Sequence, residues 1–196
     1  MMKTDFWEAV ARWITKPLVP ILSKTRLTPD VLTWLGLVIS IIAAVTIATK
    51  HLLIGGLLVL LSGLCDLLDG ALARSTKQAT RFGALLDSTM DRLSEAVLFL
   101  GLLVLYMESG NAVEILLVFL VIVGSFLVSY VRARAEGLGI ECRVGLFTRA
   151  ERVIILVLGL LLNQIFIALL VLAVLTFVTV GQRLVSVWQQ TRSQGS

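Results

Sequence analysis

Four aspartates within residues 66–91 carry the chemistry this chain could do. The stretch reads Asp66-Leu-Leu-Asp69-Gly70-Ala-Leu-Ala73-Arg74 and, after eight more residues, Gly83-Ala-Leu-Leu-Asp87-Ser-Thr-Met-Asp91. Asp66 and Asp69 are three apart and Asp87 and Asp91 four apart, so each pair shares a helix face. Two such faces set against each other bring four carboxyl groups together, and unpaired they repel. Hard divalent cations, Mg²⁺ or Mn²⁺, resolve that conflict because both favour carboxylate oxygen. Gly83, Asp87 and Asp91 form one stripe, so the glycine opens space beside the acids.

The elements that must position these acids are membrane helices. The chain of 196 residues is 58% hydrophobic and 15% charged. Soluble domains run at about 45–50% apolar and about 25% charged. A soluble domain is therefore excluded, and carboxylates set in such sequence are costly enough to mark function. Residues 31–48 form an uncharged run long enough to span. The second span starts at Leu52, and its uncharged part, 52–65, is too short unless the helix continues through Asp66 and Asp69. The third runs from near Arg81 through Asp87 and Asp91 to about Met107. The fourth is 115–131, followed by a loop at 137–145, the fifth 149–162 with a tight turn at Asn163-Gln164, and the sixth 165–181. Residues 1–21 lack a signal-peptide pattern. Phe6, Trp7, Val10, Trp13 and Ile14 share a helical face there, which predicts an amphipathic helix in the membrane interface, ended by Pro17 and Pro20. The expected organisation is that helix at 1–21, a six-span domain at 22–190 and a polar tail at 191–196.

Basic residues set the sidedness. Lys3, Arg12, Lys16, Lys24 and Arg26 precede the first span; Arg74, Lys77 and Arg81 lie between the second and third; Arg132, Arg134, Arg143, Arg149 and Arg152 flank the fourth and fifth. The remaining loops offer only Lys50. This places both termini and the acidic cluster on the cytoplasmic side of the cell (inner) membrane. Cys65 and Cys142 read as reduced thiols, and the single histidine, His51, excludes a His-based metal site.

The spacing D-x2-D-G-x2-A-R-x8-G-x3-D-x3-D resembles the signature of the CDP-alcohol phosphotransferases, membrane enzymes that join a CDP-activated lipid to an alcohol. Asp66, Asp69, Gly70, Ala73, Arg74, Gly83, Asp87 and Asp91 match it. The resemblance implies two Mg²⁺ or Mn²⁺ ions held by Asp66, Asp69, Asp87 and Asp91, with Asp91 as the base. By spacing alone Asp87 and Asp91 remain equal candidates for that base. It also implies that the donor is CDP-diacylglycerol, held by Asp30, Val31, Leu32 and Thr33 together with Asp66, Asp69, Gly70, Ala73, Arg74, Thr80 and Gly83, and that the enzyme is a homodimer among membrane lipids. Two metals can neutralise a pyrophosphate and clamp the entering and leaving oxygens.

Three strings narrow the resemblance to the phosphatidylinositol-phosphate synthases of bacteria and their archaeal relatives: Leu-Thr-Pro-Asp-Val at 27–31, Leu-Asp-Ser-Thr-Met-Asp-Arg-Leu-Ser-Glu at 86–95, and Tyr-Val-Arg-Ala-Arg-Ala-Glu at 130–136 with Arg149-Ala-Glu-Arg152. The acid at Glu95 is Asp in many of them. The resemblance implies an acceptor-phosphate pocket at Arg132, Arg134 and Arg152, and the i, i+4 spacing sets Glu136 to steady Arg132. A phosphorylated polyol, inositol phosphate, is then the acceptor, and nothing points to nucleic acid. The alternatives are a phosphatidylglycerophosphate synthase using glycerol 3-phosphate and, in another class, a non-enzymatic membrane protein that binds or carries cations.

Overall fold

The structure is a computed structural model that describes residues 13–23, 27–76, 80–142, 144–145 and 147–194. The described residues are all-helical. The helices are α1 (Trp13–Leu22) and α2 (Pro29–Ala48), α3 (Leu52–Ser75), α4 (Arg81–Ser109), α5 (Ala112–Gly137), α6 (Arg149–Leu161) and α7 (Ile165–Gln194). Four of them, α2, α3, α5 and α7, are long and apolar enough to cross a membrane. The other two expected spans do not meet that standard. Arg81, Asp87, Asp91, Arg92 and Glu95 charge the first half of α4. The 13 residues of α6 reach only about 20 Å at 1.5 Å per residue.

Local chemistry sets the helix ends. Pro29 and Asp30 occupy the first turn of α2, where a missing N–H and a negative charge are both tolerated. Thr80 caps α4, its hydroxyl accepting the Gly83 amide at 2.9 Å. Gly110 ends α4 with φ 71°, a left-handed turn that glycine takes without strain. Glu151 accepts the amide of Thr148 at 2.5 Å, which starts α6 so that Arg149 is its first residue and Arg152 lies one turn further on. Asn163, with φ 54°, makes the expected turn into α7.

Two boundary expectations are corrected. Pro17 and Pro20 do not end the first helix, which runs through both to Leu22. Each proline removes only its own N–H, while the Ser23 amide still reaches the Val19 carbonyl at 2.8 Å and Leu18 and Leu22 pack on Leu32, Leu68 and Leu72. The portion of the expected amphipathic helix at residues 1–12 lies outside the described residues. At the other end α7 continues past Gly181 to Gln194, leaving little of the expected tail. Arg183 is buried there, and Val187 packs against Ala135, Ile140 and Cys142.

The bundle is unequal along its length. Ala43, Ile47, Val59, Phe99, Leu102, Val118, Val121, Leu160, Leu169 and Leu172 form one apolar core, all in the halves of their helices remote from the aspartates. Lipid tails are as apolar as leucine, so close backbone approach through small residues drives helix association in a membrane. At Gly101 a Cβ would lie 2.5 Å from the carbonyl oxygen of Ala44, so α2 and α4 touch backbone to backbone. We therefore expect Gly101→Val to cost at least the ~1–3 kcal/mol of an overpacked core, read as a lower melting temperature in detergent. Gly181→Ala, where nothing lies within 4 Å of the new Cβ, should leave the melt unchanged or raised.

Candidate active site

At the other end the helices part around polar groups. Asp66 and Asp69 lie on α3, Asp87 and Asp91 on α4. Asp69 is buried, and the Thr33 hydroxyl of α2 donates to its Oδ2 at 2.6 Å. Gly36 faces Asp66: a Cβ there would come within 3.0 Å of Asp66 Oδ1. Two residues of α2, three apart, thus accommodate the two acids of α3, a hydroxyl that binds and a glycine that makes room.

A cleft of about 170 Å³, open at its mouth, runs beside the acids, lined by Pro29, Asp30, Thr33, Asp69, Gly70, Ala73, Arg74, Thr80, Gly83, Ala84 and Asp87. Most of the residues expected to hold the donor meet here from α2, α3 and α4. Arg74 folds back over Gly70, where a Cβ would sit 3.4 Å from its Nη1, so the missing side chain lets the guanidinium into the cleft. Gly83 does the same for Thr80 and Asp30, whose oxygens lie 3.0 and 3.7 Å from a Cβ built there. Val31 and Leu32 do not line the cleft. Val31 is exposed on the outer face and Leu32 is buried against Leu68 and Leu72.

Asp66 instead lines a smaller inner pocket, with Ser40, Ser62, Ser94, Glu95, Arg149 and Arg152. The Ser40 and Ser62 hydroxyls are 2.7 Å apart. Arg152 is buried and donates twice to Glu95, at 2.6 and 2.9 Å. Arg149 donates to Asp66 at 2.6 Å and pairs with Asp91 at 2.5 Å. Among the expected acceptor arginines, Arg132 and Arg134 are exposed at the end of α5, and Arg132 meets Glu136 at 2.8 Å as the spacing anticipates. Arg152 lies deeper, joined to α4 rather than turned to the surface.

Sequence reasoning passed over three residues. Arg149 and Glu95 were seen only as members of strings, since their partners lie 83 and 57 positions away and helical spacing reports only neighbours. Arg183 lies beyond the expected end of the sixth span, yet it is buried and donates to the carbonyls of Val128 and, at 3.0 Å, Val144. The one available signal is an arginine two residues past a helical run whose apolar period continues through Leu184 and Val187.

Four carboxylates on facing helices, one already bound by a hydroxyl, form a donor set of hard oxygens suited to a divalent cation. Among the described residues no three acids are gathered as a ready set, and a guanidinium lies between Asp66 and Asp91.

An acidic cleft flanked by arginines and opening between apolar helices defines an integral-membrane protein that handles a charged ligand at one end of its bundle. The chain belongs to the CDP-alcohol phosphatidyltransferase family, whose model matches residues 26–181. It is 38% identical over 197 residues to the archaetidylinositol phosphate synthase of Methanothermobacter thermautotrophicus, covering 97% of this chain and 96% of that one. It is 39% identical to the phosphatidylinositol phosphate synthase of Mycobacteroides abscessus, over 87% of this chain and 82% of that one. The crystal structure of Mycobacterium tuberculosis phosphatidylinositol phosphate synthase with CDP-DAG bound superposes with a TM-score of 0.81 at 34% identity, covering 89% of this chain and 93% of that one. The same enzyme in complex with manganese and citrate gives 0.80 at 35% identity, covering 89% and 88%.

Two measurements probe this arrangement. Thr33→Val should weaken Mn²⁺ binding by about 10–100-fold, the usual effect of losing a group that orients a metal ligand, read by titration of the purified protein. Glu95→Ala leaves Arg152 buried and unpaired and should cost about 3–5 kcal/mol. Glu136→Ala, which breaks only the exposed pair with Arg132, should cost about 1 kcal/mol or less. Equal melting temperatures for the two variants would refute the distinction.

Proposed function

We propose that this chain transfers a phosphatidyl group from CDP-diacylglycerol to inositol phosphate, giving phosphatidylinositol phosphate and CMP. The observation that carries the reading is the cleft in which Asp30, Thr33, Asp69, Gly70, Arg74, Gly83 and Asp87 converge from three helices beside the carboxylates. The similarity to inositol-lipid synthases over nearly the whole chain supports the choice of acceptor.

Two divalent ions, Mg²⁺ or Mn²⁺, held by Asp66, Asp69, Asp87 and Asp91, supply charge neutralisation at the pyrophosphate when bound. Protein groups do the rest. The cleft seats the cytidine diphosphate, with Arg74 against a phosphate oxygen. Asp91 accepts the proton of the acceptor hydroxyl. That oxygen bonds to the lipid-side phosphorus as the bond to CMP breaks, and CMP leaves with the electron pair. Arg132, Arg134 and Arg152, the last aligned by Glu95, hold the acceptor phosphate. Arg183 lies within electrostatic range of Arg132 and Arg152 and adds to the positive charge at this end.

The chain crosses the membrane six times, with α4 and α6 sheltered by their neighbours. Both termini and the site are cytoplasmic, as the basic residues require, and two copies form a homodimer. Glycerol 3-phosphate is the competing acceptor, and the strings around Asp87 and Arg132 favour inositol phosphate.

The deciding experiment supplies purified protein, CDP-diacylglycerol and Mg²⁺ with either inositol phosphate or glycerol 3-phosphate and identifies the lipid product by mass. Phosphatidylinositol phosphate is expected; phosphatidylglycerophosphate as the main product would reassign the acceptor. Asp91→Asn should lower kcat by about 10²–10⁴-fold, the worth of a general base. Arg132→Ala or Arg134→Ala should raise the acceptor KM by about one to two decades, the effect of one charge-assisted hydrogen bond, while sparing the KM for CDP-diacylglycerol. For orientation, a cysteine at Thr76 should react with impermeant thiol reagents only from inside, and one at Asn111 only from outside.

A further inference from the structure

The reaction leaves Arg149 unexplained. It is the first residue of α6, where the helix dipole disfavours a cation. Its guanidinium nonetheless reaches 2.6 Å from Asp66 Oδ2 and 2.5 Å from Asp91 Oδ1, so one side chain closes the gap between an acid of α3 and an acid of α4. The fit is incomplete, because the Arg149 Nε is buried without a hydrogen-bond partner. A side chain chosen for optimal satisfaction would not leave that donor orphaned. The arginine sits where it does because the acids need positive charge.

We propose that Arg149 is a placeholder cation: it occupies Asp66 and Asp91 in a chain that carries no ion and yields them when a divalent cation binds. The inference rests on the reading that these two aspartates are metal ligands. The ion and the guanidinium compete for them: Mg²⁺ binds carboxylate oxygen at about 2.0–2.1 Å, where its charge repels a guanidinium held 2.6 and 2.5 Å from Asp66 Oδ2 and Asp91 Oδ1. The absence of any gathered set of three acids among the described residues agrees with a guanidinium holding Asp66 and Asp91 around itself. Arg149 is thus a positioning residue, keeping the two helices in register until the ion arrives.

The test is a Mn²⁺ titration followed by electron paramagnetic resonance on the full-length protein in detergent, with thermal melts with and without Mn²⁺. Wild type is compared with Arg149→Gln and Arg149→Lys. A competitor in place about 90% of the time raises the apparent Kd about tenfold, so Arg149→Gln should bind Mn²⁺ about tenfold more tightly. Its melt without metal should fall below that of wild type, and Mn²⁺ should raise it by more. Arg149→Lys, whose single ammonium cannot bridge both acids, should give an intermediate Kd. If Arg149→Gln folds only with Mn²⁺, the placeholder role stands. If it folds in neither condition, the Kd of Arg149→Lys decides. Equal or weaker Mn²⁺ binding in a variant that melts cooperatively would overturn the proposal while leaving the metal reading intact. Wild-type protein that binds no Mn²⁺ would overturn both.

Discussion

Four carboxylates set among apolar helices demand positive charge, and the rest of this structure follows from how that demand is met. Ionised acids in a low-dielectric bundle repel strongly, and removing a charge from water costs several kcal/mol even after relaxation. Three of the four are met by direct contact, and a fifth acid, Glu95, has its own partner. Thr33 donates to Asp69, Arg149 bridges Asp66 and Asp91, Arg152 closes on Glu95, and Arg92 lies 3.2 Å from Asp91. These groups come from α2, α4 and α6, so the acids act as the hub on which those helices meet α3.

That hub explains why the two ends of the bundle differ. The remote end is held by close packing, with Gly101 against the Ala44 backbone and Gly124 against Thr176. The acidic end is held by directional polar contacts around space, with a cleft lined by Asp69 and Asp87 and a smaller pocket lined by Asp66. Packing fixes where the helices cross, and the polar contacts set how far apart they stand where a ligand must enter.

What could be read in the sequence was what depends on spacing along one helix. The pairing of Asp66 with Asp69 and of Asp87 with Asp91, the Arg132–Glu136 contact and the turn at Asn163 are all local. So was the requirement that α3 run on through its aspartates. What could not be read depends on which helix faces which. Nothing near Arg149 shows that it reaches Asp66, and nothing near Glu95 shows that Arg152 will close on it. The same limit hid the burial of Arg183 and made Gly181 look like an end, because the packing of Val187 against Ala135 and Ile140 joins segments far apart. Pro17 and Pro20 misled differently: propensity was weighed without the docking of Leu18 and Leu22 that offsets it.

The uneven charge along α4 bears on how the protein enters the membrane. A charged residue at the centre of a lone helix costs about 2.5–3.5 kcal/mol on insertion, and the first half of α4 carries Asp87, Asp91, Arg92 and Glu95. The apolar second half of α4 offers only partial compensation, so this helix is a poor candidate to partition into lipid by itself. Its acids find their cations on α6, which is synthesised later and is itself too short and too charged at its start to lead. The consequence is an order of assembly. The apolar helices α2 and α3 can settle first, with α4 lodged against them through the Gly101–Ala44 contact. The charged end closes only when α6 delivers Arg149 and Arg152, so it is completed after the apolar helices α2 and α3 are in place.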